Sequence, residues 1–296
     1  MERHPSALRG ILLMLLAVMC FAALDATSKH LSQTYPVAIL VWVRYVVHCV
    51  LMLVFLAPSM RWKLVATTRP VALTVRALLL VATTALCMAA FRVMPLAETT
   101  AIIFVSPLAV GLLAGPLLGE RVGAARWLAM LAGFAGMLMV ARPGSGLSPA
   151  GVLLALGAAA AYTVYQLQTR QLSPTENTWT MLFYTALAGT VVMTLGLPLF
   201  WGGPLPGPLD ALMFCTMGLY GGGGHYLLTR AFRHAPASTI SPFLYAQLLW
   251  AGLFGGLFFD HWPDALSVAG MAVIAASSIA MAGWERRCQQ LKVEND

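Results

Sequence analysis

Gly10-Ile-Leu-Leu-Met-Leu-Leu-Ala-Val-Met-Cys-Phe-Ala-Ala-Leu-Asp-Ala-Thr-Ser-Lys-His-Leu31 decides the fold. As a helix it is long enough to cross a hydrocarbon core of about 30 Å, which takes about 20 residues. Nine further runs of the same kind follow: Pro36–Ala57, Pro70–Phe91, Leu96–Leu118, Ala124–Ala141, Pro149–Arg170, Thr178–Phe200, Leu209–Ala231, Pro236–Phe259 and Pro263–Trp284. They sit between breaker clusters such as Ala141-Arg-Pro-Gly-Ser-Gly and Trp201-Gly-Gly-Pro-Leu-Pro-Gly-Pro. Alternation of polar and apolar residues is absent, which argues against a membrane β-barrel. The expected fold is an all-α integral membrane protein with ten transmembrane helices. Arg3 and Arg9 precede the first run as in a signal peptide. The run is full length and lacks a small-x-small cleavage site, so it reads as a retained helix.

Composition agrees. Of 296 residues 59% are hydrophobic and 10% are charged, whereas soluble domains carry about 25% charged residues. Eighteen basic and eleven acidic side chains cannot coat a body of this size in water. The net charge of +7 does not call for nucleic acid, because Lys and Arg concentrate in cytoplasmic loops. With the N-terminus inside, Arg3, Arg9, Arg61, Lys63, Arg69, Arg121, Arg126, Arg170, Arg230, Arg233, Arg286, Arg287 and Lys292 fall on the inner side. Lys29, Arg92 and Arg142 fall outside, and Arg44 and Arg76 lie within helices. Both termini are therefore expected in the cytoplasm, in a bacterial plasma (inner) membrane. The five cysteines, Cys20, Cys49, Cys87, Cys215 and Cys288, show no metal spacing and read as free thiols.

The two halves match at an offset of 141 residues. Gly10-Ile-Leu-Leu-Met-Leu aligns with Gly151-Val-Leu-Leu-Ala-Leu, Lys29 with Arg170, Phe91-Arg92 with Phe232-Arg233, and Pro95 with Pro236. This divides the chain into repeats at 1–143 and 144–296. Five helices per repeat force the second into the membrane upside down, the inverted arrangement of many secondary transporters.

The stretch Ala90-Phe-Arg-Val-Met-Pro-Leu-Ala-Glu-Thr-Thr-Ala, then Pro107, Leu118-Gly-Glu-Arg121, Gly133 and Gly136, resembles the EamA-like members of the drug/metabolite transporter superfamily. Arg44 fits the same pattern. The second copy departs from it: Ala231-Phe-Arg-His-Ala-Pro-Ala-Ser is recognisable, Phe259-Asp-His261 replaces Gly-Glu-Arg, and Leu248 stands opposite Pro107. The resemblance implies a central cavity lined by the first four helices of each half, with the fifth and tenth at the periphery. It also implies export of amino acids and related metabolites, aromatic amino acids being one class.

Charge within a span is costly, so polar groups there are candidates for function. Asp25 and Lys29 share a face of the first helix, with Ser28 beside them. With Arg92 and Glu98 they read either as an outer gate or as an interfacial ion-pair cluster. Arg44 and His48 lie one turn apart on the second helix, for substrate carboxylate or for helix-helix bonding. Thr99 and Ser106 are candidate cavity residues on the fourth. Tyr162, Tyr165, Gln166 and Thr169 form one stripe on the sixth helix. The eighth carries Gly218, Gly221, Gly222, His225 and Thr229, and the ninth Ser238, Ser241 and Tyr245. These stripes line a cavity or pack helices together. Tyr162, Gln166, His225 and Tyr245 are expected around one central cavity. Gly221–Gly224 permits close helix approach or a bend, and Pro107 and Pro242 predict kinks.

No HExxH, GxSxG, Walker or Cys/His metal pattern occurs, so no enzyme, cofactor or metal is expected. The expected partners are a small-molecule substrate and the bilayer, with the chain as a monomer. The alternatives are a flippase for a lipid-linked intermediate, which needs a lateral opening to lipid, and a non-transporting membrane partner. Asp25, His48 and His225 are the titratable groups available for proton coupling; uncoupled facilitation is the other option.

Overall fold

The computed structural model describes residues 7–93, 99, 102–120, 122–141, 148–200, 202, 204–260 and 262–294, and these are helical with short connections. The helices are α1 (Ala7–Leu31), α2 (Val37–Phe55), α3 (Pro70–Val93), α4 (Ser106–Leu118), α5 (Ala124–Ala141), α6 (Pro149–Leu172), α7 (Thr178–Phe200), α8 (Pro208–His234), α9 (Gln247–Phe259) and α10 (Ala265–Glu294). Single turns at Ala57–Met60 and Arg61–Leu64 follow α2, and a helical turn Ala237–Ile240 with a 3-10 turn Ser241–Ala246 leads into α9. Among the described residues seven segments are long and apolar enough to cross a membrane: α1, α2, most of α3, α6, most of α7, Ala237–Phe258 and most of α10. Helices α4 and α5 are apolar but shorter, and α8 is not among the seven.

Pro107 and Pro242 lie at interruptions within their apolar segments, each at the start of a new helical stretch. Pro107 occupies the first turn of α4, after a turn at residues 104–105, where its missing N–H removes no helical bond. Pro242 opens the 3-10 turn before α9 in the same way. Helices α4 and α9 begin at Ser106 and Gln247 and end at Leu118 and Phe259, 141 residues apart at both ends. Each is closed by a left-handed residue, Gly119 (φ 69°) and Asp260 (φ 51°).

Packing follows the same exchange. Helix α1 lies on α8, and α6 lies on α3; α8 lies on α2, and α3 on α7; α1 meets α9, and α6 meets α4. The remaining large contacts, α2 on α7 and α5 on α10, map onto themselves. At the crossing point Tyr245 donates its hydroxyl to the Phe104 carbonyl at 3.1 Å with ring centroids 5.9 Å apart, and these two positions are also 141 residues apart.

The glycine run of α8 serves close approach, and the helix runs through it without interruption. A Cβ on Gly221 would stand 2.8 Å from Arg44 Nε, one on Gly222 2.8 Å from His48 Cδ2, and one on Gly224 2.5 Å from the Phe21 ring. A Cβ on Gly223 would meet nothing within 4 Å. Gly222→Val is therefore expected to force α2 from α8 and to cost about 1–3 kcal/mol, as overpacking does. Gly223→Ala should be neutral or stabilising by up to about 1 kcal/mol, from helix propensity alone. Thermal melting of the detergent-purified variants checks the contrast.

Candidate functional site

Arg76, on the first turns of α3, is fully buried, and each of its five N–H groups has an acceptor. Nε donates to Thr169 Oγ1 at 2.7 Å, one terminal nitrogen to Met181 O at 3.2 Å and Thr185 Oγ1 at 3.0 Å, the other to Tyr165 Oη at 3.0 Å and Thr229 Oγ1 at 3.3 Å. The guanidinium also lies 4.6 Å from the Tyr165 ring centroid. Every acceptor is neutral, and they come from α6, α7 and α8. The charge is solvated by protein dipoles, with no carboxylate bonded to it among the described residues.

A polar chain leads away from this hub. Tyr165 Oη lies 3.0 Å from His225 Nδ1, and His225 Nε2 lies 3.3 Å from an Arg44 terminal nitrogen. Arginine only donates, so Nε2 accepts, and the imidazole proton sits on Nδ1 facing the Tyr165 oxygen. Phe21 packs on His225 at 4.8 Å between centroids, and Tyr162 stacks on Tyr165 at 5.9 Å and 10°. Arg44 makes no second hydrogen bond among the described residues, and it is only half-buried. His48 is buried beside Gly222, one turn from Arg44.

Asp25 is exposed, yet protein surrounds it. Gln247 Nε2, at the start of α9, donates to Asp25 Oδ2 at 2.7 Å. Arg44 on α2, Cys87 on α3 and Tyr162 on α6 all lie within its electrostatic reach. Groups from three other helices thus act on this exposed carboxylate. Ser28 on the same helix is half-buried, and Lys29 is exposed at its end. At this Lys29 end Tyr35, between α1 and α2, donates to Asp210 at 2.8 Å, and that bond to a carboxylate pushes its phenol up. Glu98 and the Arg92 side chain, named with Lys29 as a gate, lie outside the described residues.

The opposite end of the bundle is tied by one carboxylate. Glu120, just past α4, accepts from Arg170 Nε at 3.0 Å, from the Ala237 and Ser238 backbone N–H groups at 3.0 and 3.1 Å, and from Ser238 Oγ at 3.1 Å. Arg170 donates further to Phe232 O at 2.6 Å, and Arg126 to Ser238 Oγ at 3.2 Å. One carboxylate thus ties the α4 end to the α6 end and to the chain entering α9. Behind it Phe232, Ala237, Ile240, Phe243 and Leu244 belong to one apolar cluster with α1.

The structure does not gather all the candidate residues into one cavity. Arg44, His225, Tyr165 and Tyr162 form a connected group, and Asp25 lies within electrostatic reach of Arg44 and Tyr162. Tyr245 stands apart: its hydroxyl is bound to Phe104, and its ring packs with Met137, Leu248 and Ile274, against Gly133. Gln166 is fully buried, and neither its amide oxygen nor its nitrogen has a partner among the described residues; Ser106 Oγ is buried and unpartnered likewise. Thr99 is buried. Cys20, Cys49, Cys87 and Cys215 are free. Sequence reasoning missed Arg76, Gln247 and Glu120. The acid of Leu118-Gly-Glu-Arg121 was in view, but only its four long-range contacts reveal a latch.

The bundle of apolar helices carries a charged group near its Lys29 end and a carboxylate tie at the other. The chain belongs to the EamA-like transporter family: the family model matches it twice, at residues 8–142 and 149–283. It is 30% identical over 282 residues to the pseudopaline exporter of Pseudomonas aeruginosa, covering 92% of this chain and 95% of that one. It is 29% identical over 290 residues to the riboflavin transporter of Vibrio cholerae, covering 97% and 96%. A solved crystal structure only 18% identical superposes with a TM-score of 0.81 over 94% of this chain and 98% of the other, a likeness of fold. The protein is thus a multi-pass membrane transporter of the drug/metabolite transporter superfamily.

Proposed function

We propose that the chain exports small amphipathic zwitterions, amino acids or close relatives of them, across the bacterial inner membrane by alternating access. One observation carries this reading. Arg44 and Asp25 have opposite charges within electrostatic reach of each other, yet each is held by a neutral partner, His225 and Gln247. Unpaired opposite charges so placed match a carboxylate at Arg44 and an ammonium group at Asp25. Phe21 and Tyr162 stand beside them for an apolar or aromatic side chain. The relatives' names cover more than one kind of solute, so the substrate is argued from these groups.

The mechanism needs two interchangeable halves. Residues 1–143 and 144–296 supply them as inverted repeats, an arrangement supported by the constant 141-residue offset of helix ends and packing partners. The excess of Lys and Arg in alternate loops supports a cytoplasmic position for the Glu120 end and both termini. The Asp25 side then faces outward. Export as the direction is favoured by the likeness to an exporter.

The test is competition in liposomes holding the purified protein. Zwitterionic amino acids, aromatic ones included, should compete for transport. Their carboxamides, lacking the carboxylate, and their N-acetyl forms, lacking the ammonium group, should compete at least roughly tenfold less well, the loss of one charge-assisted contact. Equal competition by all three would overturn the reading.

A further inference from the structure

The 141-residue offset carries Asp25 onto Gln166 and Ser106 onto Gln247. The exposed pair at the Lys29 end, Asp25 on α1 and Gln247 on α9, is hydrogen-bonded at 2.7 Å. Its counterpart is Gln166 on α6 and Ser106 on α4, two helices that pack together as α1 and α9 do. Both counterparts are buried, Gln166 at 0% and Ser106 at 1% exposure, and the Gln166 amide and the Ser106 hydroxyl have no partner among the described residues. A buried amide with neither atom bonded is unfavourable, and natural structures retain few of them. Such a group points to another arrangement in which it is bonded. Gln166 also lies one helical turn from Arg170, on the same face, and Arg170 is held by the Glu120 latch.

We infer that Gln166 and Ser106 form a second binding station for the solute, facing the Glu120 end, which assembles when the latch opens. It is the repeat-related copy of the Asp25–Gln247 station. In that state Gln166 and Ser106 come within hydrogen-bond reach of each other and of water or solute, as Asp25 and Gln247 are now. The two stations differ in chemistry. The Lys29-side station offers a carboxylate to an ammonium group; the Glu120-side station offers a neutral amide and a hydroxyl. Neutral donors and acceptors hold a polar head more weakly than a charge does, so apparent affinity is lower from the Glu120 side. This inference rests on the alternating-access reading above, and its first test needs no substrate.

Gln166→Cys, with the five native cysteines replaced, is labelled with a membrane-impermeant thiol reagent applied from each side. With Glu120 intact, little labelling is expected from either side. With Glu120→Ala added, Gln166→Cys should label from the Glu120 side, and labelling of Ser28→Cys from the Lys29 side should fall several-fold. Ser106→Cys provides the second readout if Gln166→Cys is poorly made. Position 166 staying unlabelled with the latch broken, or labelling from the Lys29 side, overturns the inference. In the wild-type frame Gln166→Ala should raise KM several-fold from the Glu120 side and leave KM from the Lys29 side unchanged; equal shifts on both sides mean packing and also overturn it. If labelling behaves as expected while zwitterions are not transported, the substrate reading alone falls.

Discussion

Arg44→Leu is expected to abolish saturable transport of carboxylate-bearing solutes. Arg44 stands half-buried with a single hydrogen bond, to His225, so most of its N–H groups are available to an incoming carboxylate. A hydrogen bond to a charged group contributes about 1.5–3 kcal/mol, so one lost contact weakens binding roughly 10- to 150-fold and a bidentate contact more. Arg44→Lys keeps the charge but not the planar fork, and should retain binding at a several-fold higher KM. The carboxamide analogues separate this from a packing effect. Their weak competition should be unchanged by Arg44→Leu, because they have no carboxylate to lose. Leu is smaller than Arg, and the atoms nearest a Cβ on Gly221 are Arg44 Nε, Cζ and Cδ, so the fold should survive. Unaltered transport of zwitterions by Arg44→Leu, at normal protein yield, would remove Arg44 from the site.

Arg76→Met should act on the fold first. The substitution removes a guanidinium whose five N–H groups join α3 to α6, α7 and α8. Hydrogen bonds between membrane helices average about 0.6 kcal/mol each, with a maximum of about 1.7. Five of them place the loss at about 3 kcal/mol or more. Deserted acceptors add to it: Thr169 and Thr185 retain bonds to backbone carbonyls, but Thr229 is left without its guanidinium donor. A lower melting temperature and reduced yield are expected, measured by fluorescence-detected chromatography after heating. Arg76→Lys replaces five fixed donors with three and should fall between. A melting temperature equal to wild type for Arg76→Met would show that the hub contributes little.

Local order was legible and long-range pairing was not. The apolar runs placed the helices because membrane length imposes a single period on sequence, and the Gly, Phe-Arg and Pro matches at 141 residues gave the duplication. Contact between distant residues leaves no such trace. Gln247 and Asp25 are 222 positions apart, and Glu120 and Ser238 118. Arg76 passed as one charge within a helix, since nothing near it in sequence announces five acceptors on three other helices. Tyr245 looked like a cavity residue because its neighbours Ser238 and Ser241 are polar; its position opposite Phe104 depends on the two-fold exchange. Pro107 was read within a continuous run, and the regular helix is interrupted just before it, at residues 104–105. The offset could have disclosed one pair in advance: Asp25 and Gln166 occupy equivalent positions, and both are polar in otherwise apolar runs.

The exchanged packing also bears on how the chain is made. The most extensive helix contacts all join one half to the other: α1 to α8, α3 to α6, α2 to α7, α5 to α10. Each half is a repeat in sequence whose largest helix contacts lie with the other half. During synthesis α1 must wait in the bilayer, unpartnered, until the ribosome has delivered α8. Arg76 must wait for α6, α7 and α8, and a basic residue in a span raises the insertion free energy by roughly 2.5–3.5 kcal/mol near the bilayer centre. The nascent first half is therefore an open, provisional assembly, exposed to insertases and membrane proteases for as long as the second half takes to emerge.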